Sequence, residues 1–129
     1  MPVTSDAPQL LAQLLSATDE SLDQLSFGVI AIDAQGRVTR YNRYESQLSG
    51  LSPERVKGKH LFTGVAPCMN NPLISGLIRE AREAGDALDE TIDYVLAFRI
   101  RPVAVKLRML CEPGVDDCYL VIRRADEAA

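Results

Sequence analysis

The hydrophobic pattern begins with leucines at helical spacing. They recur at intervals of one, three and four residues, which predicts an amphipathic helix from about Pro8, and a second short helix is predicted from Asp19 to Leu25. Such a helix must bury its apolar stripe against another surface, which the pattern does not identify. Residues 1 to 7 are small and polar and are expected to fray. The stripe consists of Leu10, Leu11, Leu14 and Leu15.

Alternating apolar and polar positions predict five strands, two early and three late. Gly36 supplies the positive φ for the turn of the first hairpin, and Glu112-Pro113-Gly114 turns the last one. The predicted strands are Phe27 to Asp33, Arg37 to Tyr41, Asp89 to Phe98, Val103 to Cys111 and Cys118 to Arg124.

Helical segments fill the interval between the two groups of strands. A short helix from Asn42 to Ser49 is ended by Gly50, and Ser52-Pro53 starts another helical turn. A long helix is predicted from Asn71-Pro72 to Gly85, with an apolar stripe on one face. The order of two strands, helices and three strands predicts an α+β fold. The stripe of the long helix consists of Leu73, Ile74, Leu77, Ile78 and Ala81.

Composition limits the class of protein. A chain of 129 residues with 47% apolar and 25% charged residues is expected to form one globular domain with one core. A net charge of -4 gives no electrostatic reason to bind nucleic acid or an anionic membrane. The chain lacks an apolar run of about 20 residues and a signal peptide, so a cytoplasmic location is expected. Three cysteines, an odd number, favour a reducing compartment and argue against a disulfide framework.

Cys68 lies in a turn-rich loop that leads into the long helix. Pro67 fixes its own φ and biases the preceding residue away from helical geometry, while Asn71 and Pro72 are typical of an N-cap and first helical residue. Partial positive charge near a helix N-terminus favours a thiolate or a thiol-derived ester. Taken alone, a cysteine is more often a small buried apolar residue, and the local sequence does not overturn that interpretation.

The loop Val65-Ala66-Pro67-Cys68, with Phe62 before it and Pro72 after it, resembles the chromophore-attachment loop of the photoactive yellow proteins, blue-light receptors of the PAS superfamily. The resemblance runs from about Leu22 to Ile122. Further positions that carry it are Phe27-Gly28-Val29-Ile30, Asp33, Gly36, Tyr41-Asn42, Glu45, Gly50, Gly58-Lys59, Asp93-Tyr94 and Pro102.

The resemblance implies a PAS fold, in which an antiparallel five-stranded sheet carries helices on one face and an N-terminal helical cap on the other. The implied division is a cap over residues 1–26, a PAS photosensor domain over 27–125 and a C-terminal tail over 126–129. PAS-like modules also use such N-terminal helices as a dimer seam. A monomer and a weak homodimer through these helices both remain open.

The resemblance also implies a 4-hydroxycinnamoyl (p-coumaroyl) group, bound as a thioester to Cys68, with its phenolate end at Tyr41 and Glu45. From the residues themselves, a spacing of four places Tyr41 and Glu45 on one side of a helical turn, and a buried glutamic acid tends to stay protonated. Two donors converging on one point can hold a phenolate away from water. The remaining site positions carried over are Ser49, which supports the tyrosine, and Leu51, Phe62, Ala66, Pro67, Phe98 and Ile100.

The implied mechanism is trans-to-cis isomerisation followed by proton transfer from Glu45 to the phenolate, which leaves a buried charge and loosens the domain. The N-terminal helices are the expected part to release. The implied role is therefore that of a binding module with a covalent ligand, not an enzyme. Its downstream signalling partner is unknown.

Several positions depart from the family pattern, three of them at the implied site. Leu51 stands where an arginine commonly covers the phenolate end, Phe98 where a tyrosine is usual, and Ile100 where a methionine assists thermal re-isomerisation. An altered absorption maximum and a slow return to the dark state are expected, with Ile100 as the cause of the slow return. An Ile100→Met variant that recovers no faster than the parent would contradict that assignment.

Two alternatives stay open beside the photoreceptor. One is a PAS-type interaction or dimerisation module that binds no chromophore. The other, much weaker, is a cysteine hydrolase with His60 as base, for which no third orienting residue is evident. No metal site is expected: Cys111 and Cys118 lack further ligands and are expected in the core or as free thiols, and the acidic run from Asp86 to Glu90 is expected to be a solvated connection.

Overall fold

The predicted α+β fold with five antiparallel strands is confirmed in the computed structural model, which describes residues 3–97 and 102–126. All five strands pair antiparallel in one sheet with the order β2-β1-β5-β4-β3. Phe98, where the third strand was predicted to end, and Ile100 lie outside the described residues. The strands are β1 (Gly28–Ile32), β2 (Val38–Tyr41), β3 (Leu88–Ala97), β4 (Pro102–Cys111) and β5 (Cys118–Arg124).

Short helices precede the sheet and connect its two halves. None of the helices in the described part of the chain is long and apolar enough to cross a membrane. The α-helices are α1 (Leu10–Ser16), α2 (Asp19–Leu22), α3 (Arg43–Ser49), α4 (Pro53–Val56) and α5 (Leu77–Ala84). Between α4 and α5 lie a π-helical turn (Leu61–Val65), a 3₁₀ turn (Pro67–Met69) and a second π-helical turn (Pro72–Gly76).

The sheet is covered on both faces, which explains why β1 reads as a continuous apolar run. All five residues of β1 are buried. On the inner face, Ile30 and Ile32 join a core with apolar side chains of α4, α5 and the turns between them. On the outer face, Val29 and Ala31 join a second cluster with the N-terminal helices. Strands that alternate between two cores have no polar face.

The N-terminal helices form a cap on the outer face of the sheet, as the resemblance implied. Leu10 and Leu14 of α1 and Leu22 of α2 are almost fully buried there. The stripe is thus used within the chain, although Leu15 remains exposed. A weak homodimer through these helices stays a prediction, as does a monomer. The cap residues contact Phe27, Val29, Ala31, Leu110, Tyr119 and Val121.

The prediction of one regular helix from Asn71-Pro72 to Gly85 was wrong in its first turn. The amide of Gly76 donates to the carbonyl of Asn71 at 3.0 Å, a five-residue separation that makes this turn π-helical. The wider turn rotates Leu73 out of the predicted stripe, and its side chain is 57% exposed. The end at Gly85 is confirmed, with φ 69° at the C-cap.

The argument against a disulfide was also wrong, because Cys111 and Cys118 form one, while their expected place in the core is confirmed. Leu110 pairs with Tyr119 across β4 and β5. The next residue of each strand toward the turn is a cysteine, so Cys111 and Cys118 face each other where the hairpin loop begins. Their Cα atoms are 4.7 Å apart, within the range that a disulfide spans. The odd cysteine count did not reveal this register. Cys68 is the remaining free thiol.

Replacing Cys111 and Cys118 together by alanine is expected to lower the free energy of unfolding by about 2 kcal/mol, the loop-closure entropy expected for so short a loop. Alkylation of the unfolded, unreduced protein should label Cys68 alone, and reduction should expose all three thiols. Three labelled thiols without reductant would contradict the disulfide.

Candidate functional site

A cavity of about 160 Å³ lies between the inner face of the sheet and the helical segments. For comparison, an engineered apolar cavity of about 150 Å³ holds one benzene ring. The size therefore suits a single aromatic ring. Among the described residues, the lining consists of Ile30, Tyr41, Glu45, Ser49, Leu51, Leu61, Val65, Ala66, Cys68, Met69 and Ala97.

Tyr41 reaches the cavity because it is the last residue of β2 and projects from the inner face. Its hydroxyl is hydrogen-bonded to Oγ of Ser49, 2.7 Å away. The same Oγ accepts a hydrogen bond from the amide of Leu51 at 3.2 Å. Burial, then the nearby Glu45 charge, raise the pKa of Tyr41, while the Ser49 hydrogen bond lowers it. The net rise keeps the phenol protonated.

Glu45 is the buried acid of the cavity. It lies in the first turn of α3, and only 1% of its surface is exposed. Burial raises the pKa of its carboxyl to about 8, so at neutral pH the group is mostly protonated. Its Oε1 has no hydrogen-bond partner among the described residues. A buried carboxyl with an unpaired oxygen calls for an explanation, and a polar ligand atom would supply one.

Asn42 fixes the start of the helix that carries Glu45. Its Oδ1 accepts from the amides of Glu45 at 3.2 Å and Val29 at 2.9 Å. Its Nδ2 donates to the carbonyls of Leu22 at 2.8 Å and Phe27 at 3.0 Å. One buried side chain thus joins α2, β1 and α3. The sequence showed Asn42 only as the start of a helix, and its long-range bonds had no local signal.

Gly28 permits the position of the Glu45 carboxyl. A Cβ at residue 28 would overlap Oε1 of Glu45 and would lie 3.3 Å from the carbonyl oxygen of Ile122. The first residue of β1 therefore forms the wall against which the carboxyl packs. This requirement concerns close approach rather than backbone conformation.

A Gly28→Ala substitution is expected to push the Glu45 carboxyl away and to cost about 1–3 kcal/mol of unfolding free energy through overpacking. Gly64→Ala is the matched control, because a Cβ there meets only Lys59, at 3.9 Å. The control should stay within about 0.5 kcal/mol of the parent. Equal denaturation midpoints for the two variants would mean that Gly28 is not needed for the packing.

The backbone of Cys68 is held by two side chains. The hydroxyl of Tyr94 on β3 donates to the carbonyl of Cys68 at 2.6 Å, and Nδ2 of Asn71 donates to the same oxygen at 3.1 Å. Oδ1 of Asn71 accepts from the amides of Leu73 and Ile74, which confirms the predicted N-cap. The half-buried thiol of Cys68 lines the cavity from this fixed position. The holding role of Tyr94 was not predicted.

The structure brings together six of the ten predicted site residues around the cavity: Tyr41, Glu45, Ser49, Leu51, Ala66 and Cys68. Two others do not line it. Phe62 is buried in the inner core and Pro67 is exposed. Phe98 and Ile100 lie outside the described residues. The roles assigned to these residues remain predictions.

Several apolar lining residues were missed. Ile30 could have been found, because the alternation of β1 places it on the same face as the site. Leu61, Val65 and Met69 lie in irregular turns without a period that would orient them. Leu51 makes the lining more apolar, and the described lining residues include no lysine, arginine or histidine.

His60 packs against its neighbours in the chain and in the first hairpin. Its Nδ1 accepts from the amide of Phe62 at 3.2 Å, and its ring packs edge-on against Phe62 and close to Gly36. The described residues contain no cluster of three His, Cys, Asp or Glu side chains that could bind a metal ion.

Comparison with known proteins identifies the family. The family model for the PAS fold matches residues 22–128. A photoactive yellow protein from Halochromatium salexigens is 36% identical over 108 residues, which cover 84% of this chain and 85% of that protein. One from Rhodothalassium salexigens is 34% identical over 106 residues, covering 82% and 84%.

A solved structure agrees with these relatives. The photoactive yellow protein domain of the sensor histidine kinase Ppr from Rhodospirillum centenum superposes with a TM-score of 0.81 at 38% identity, covering 88% of this chain and 98% of that domain. With the family model and both curated relatives in agreement, the chain belongs to the photoactive yellow protein family and has its PAS fold.

Proposed function

We propose that this protein is a blue-light receptor that carries a 4-hydroxycinnamoyl group as a thioester on Cys68. One observation supports this most directly. A neutral, buried Glu45 with an unpaired Oε1 lines the same cavity as the Tyr41 phenol and the Cys68 thiol. The cavity thus combines two hydroxyl-type donors with a nucleophile, in a volume that suits one aromatic ring.

The residues present fit such a group. Cys68 would hold its acyl carbon, while Tyr41 and Glu45 would donate hydrogen bonds to its phenolate oxygen. Ser49 would keep the Tyr41 hydroxyl in place, since the two are already hydrogen-bonded. When bound, the group supplies absorption of visible light and trans-to-cis isomerisation.

Glu45 provides the output step in this proposal. Its carboxyl holds a proton in the resting protein, and Glu45 would pass that proton to the phenolate oxygen that it would hydrogen-bond. The carboxylate left behind would lie among described lining residues that include no cation. An unpaired buried charge costs several kcal/mol, which is comparable to the whole stability of a domain. The fold would therefore loosen until water reaches the charge.

The N-terminal cap is the part that we expect to loosen, because it is peripheral and consists of short helices. Hydrogen exchange over residues 3–26 should be faster under illumination than in the dark. Identical exchange in light and dark would remove the cap from the output.

Family membership supports a light receptor rather than an enzyme. The domain of Rhodospirillum centenum belongs to a sensor histidine kinase, so we infer a signalling protein as the downstream partner of this chain. A cytoplasmic location is part of the same proposal, and it requires that the Cys111–Cys118 disulfide forms in a compartment where disulfides are rare.

The test is an absorption spectrum after addition of an activated ester of 4-hydroxycinnamic acid. The parent protein should gain a visible band that bleaches in blue light, together with the mass of one thioester. Cys68→Ala should gain neither. A parent protein whose Cys68 reacts with a small thiol reagent but that develops no band would contradict the proposal and favour the PAS-type interaction module.

A further inference from the structure

Arg40 and Tyr41 are consecutive residues of β2 and project from opposite faces of the sheet. Tyr41 lines the cavity on the inner face. Arg40 lies on the outer face, where its guanidinium is largely buried beneath the N-terminal cap, with 15% of its side chain exposed. One strand therefore connects the wall of the cavity directly to the cap.

The guanidinium of Arg40 has four acceptors, three of them in the cap. It donates to the carbonyls of Leu14, at 2.9 Å, and of Ala17, which lie at the C-terminal end of α1. The carbonyl of Leu14 also accepts from the amide of Ala17, the C-cap residue, at 3.2 Å. The guanidinium also donates to Oδ1 of Asp19 at 3.0 Å and to the hydroxyl of Tyr119 at 2.9 Å. A single side chain thus joins α1, α2 and the sheet.

We propose that Arg40 is the positioning residue that couples occupancy of the cavity to attachment of the N-terminal cap. The proposal rests on the proposed function for the ligand that fills the cavity. A ligand that displaces the Tyr41 side chain moves the short strand β2, and the Cα atom of Arg40 moves with it. Bonds to four acceptors at once need a specific geometry, so a small displacement weakens several of them.

Arg108 provides a matched control. It also projects from the outer face and holds the cap, because it donates to the carbonyls of Ser5 at 3.0 Å and Ala7 at 2.8 Å. Its neighbours on β4, Leu107 and Met109, belong to the inner core and are not among the described residues that line the cavity. Arg108 therefore shares the attachment of the cap but not the connection to the cavity.

The experiment measures hydrogen exchange of residues 3–26 in the full chain. The parent, Arg40→Gln and Arg108→Gln are compared with Cys68 free and after acylation by activated 4-hydroxycinnamic acid. Each variant should raise cap exchange on the order of tenfold with Cys68 free, since each loses charge-assisted hydrogen bonds. Acylation should change cap exchange several-fold in the parent and in Arg108→Gln, and should leave it unchanged in Arg40→Gln.

A response to acylation that persists in Arg40→Gln would overturn the proposal and direct attention to Asn42, which also contacts the cap through Leu22. A response lost equally in both variants would overturn it too, because cap attachment alone would then explain the loss.

Two further measurements cover the remaining outcomes. Arg40 is adjacent to the cavity-lining Tyr41 on β2, so Arg40→Gln should shift the absorption maximum of the acylated protein and Arg108→Gln should not, even if the substitution has already detached the cap. If Cys68 resists acylation, the proposed function fails, and Tyr41→Phe replaces the ligand as the perturbation. That substitution should alter cap exchange in the parent and Arg108→Gln backgrounds only, and an equal effect in the Arg40→Gln background would overturn the coupling.

Discussion

Raising the pH from about 4 to about 9 is expected to destabilise the protein without a bound group by about 5 kcal/mol more than it destabilises a Glu45→Gln variant. Burial raises the pKa of Glu45 from 4.5 to about 8. Between these values the folded protein keeps a proton that the unfolded chain has released, so the free energy of unfolding falls as the pH rises. The interval spans about 3.5 pH units, each worth about 1.4 kcal/mol.

The stabilising effect of the neutral carboxyl is complete below the unfolded value of 4.5 and is lost as the pH rises through about 8. Chemical denaturation at a series of pH values measures it, and the Gln variant removes the titration while keeping the size of the side chain. Glu54→Gln, at an exposed position of α4, should follow the parent curve. Parallel curves for the parent and Glu45→Gln would show that the buried carboxyl does not titrate in this interval.

Much of the fold could be predicted because the strands have strict periods. Ile92, Tyr94 and Leu96 alternate along β3, so the strand was predicted within one residue of its start. β4 shows a similar alternation in its sequence, whereas β5 is a continuous buried run and was bounded by the Pro-Gly turn before it. Local patterns are sufficient where each residue's environment depends on its position in a regular element.

The errors lie where a contact depends on pairing or on a change of helical period. The disulfide required the register of β4 and β5, which places Cys111 and Cys118 opposite each other, and no property of either cysteine alone reports it. The exposure of Leu73 required the π-helical turn, in which the 3.6-residue period no longer holds.

For the site, a spacing of four residues sufficed within α3, whereas Tyr41 reaches the cavity from the end of β2 and not from a helical turn. Tyr41, Glu45 and Ser49 are four residues apart along the chain, and the structure places all three at the cavity. The packing of Glu45 against Gly28 and the hydrogen bond from Tyr94 to the carbonyl of Cys68 could not be predicted in this way. They bring together residues 17 and 26 positions apart, and only the assembled sheet makes them neighbours.

Asn42→Ala is expected to lower the free energy of unfolding by about 3–5 kcal/mol, a large effect for one residue. The substitution removes the Asn42 side chain from four buried backbone groups, of which the Leu22 carbonyl keeps another partner, the amide of Leu25 at 3.2 Å. Each group left unpaired costs about 1–3 kcal/mol before the structure relaxes. The four groups are the carbonyls of Leu22 and Phe27 and the amides of Val29 and Glu45.

Two further variants separate the contributions of the two ends of the Asn42 side chain. Asn42→Ser keeps an N-cap oxygen for α3 but loses both donated hydrogen bonds, so it should lower the free energy of unfolding by an intermediate amount.

Asn70→Ala, which removes an exposed side chain with one hydrogen bond to Ser75, should stay within about 0.5 kcal/mol of the parent. Equal losses for Asn42→Ala and Asn70→Ala would mean that water replaces the buried bonds. A Ser variant as unstable as the Ala variant would assign the stability to the donations toward Leu22 and Phe27, and would make the attachment of the cap, rather than the start of the Glu45 helix, the main contribution of this residue.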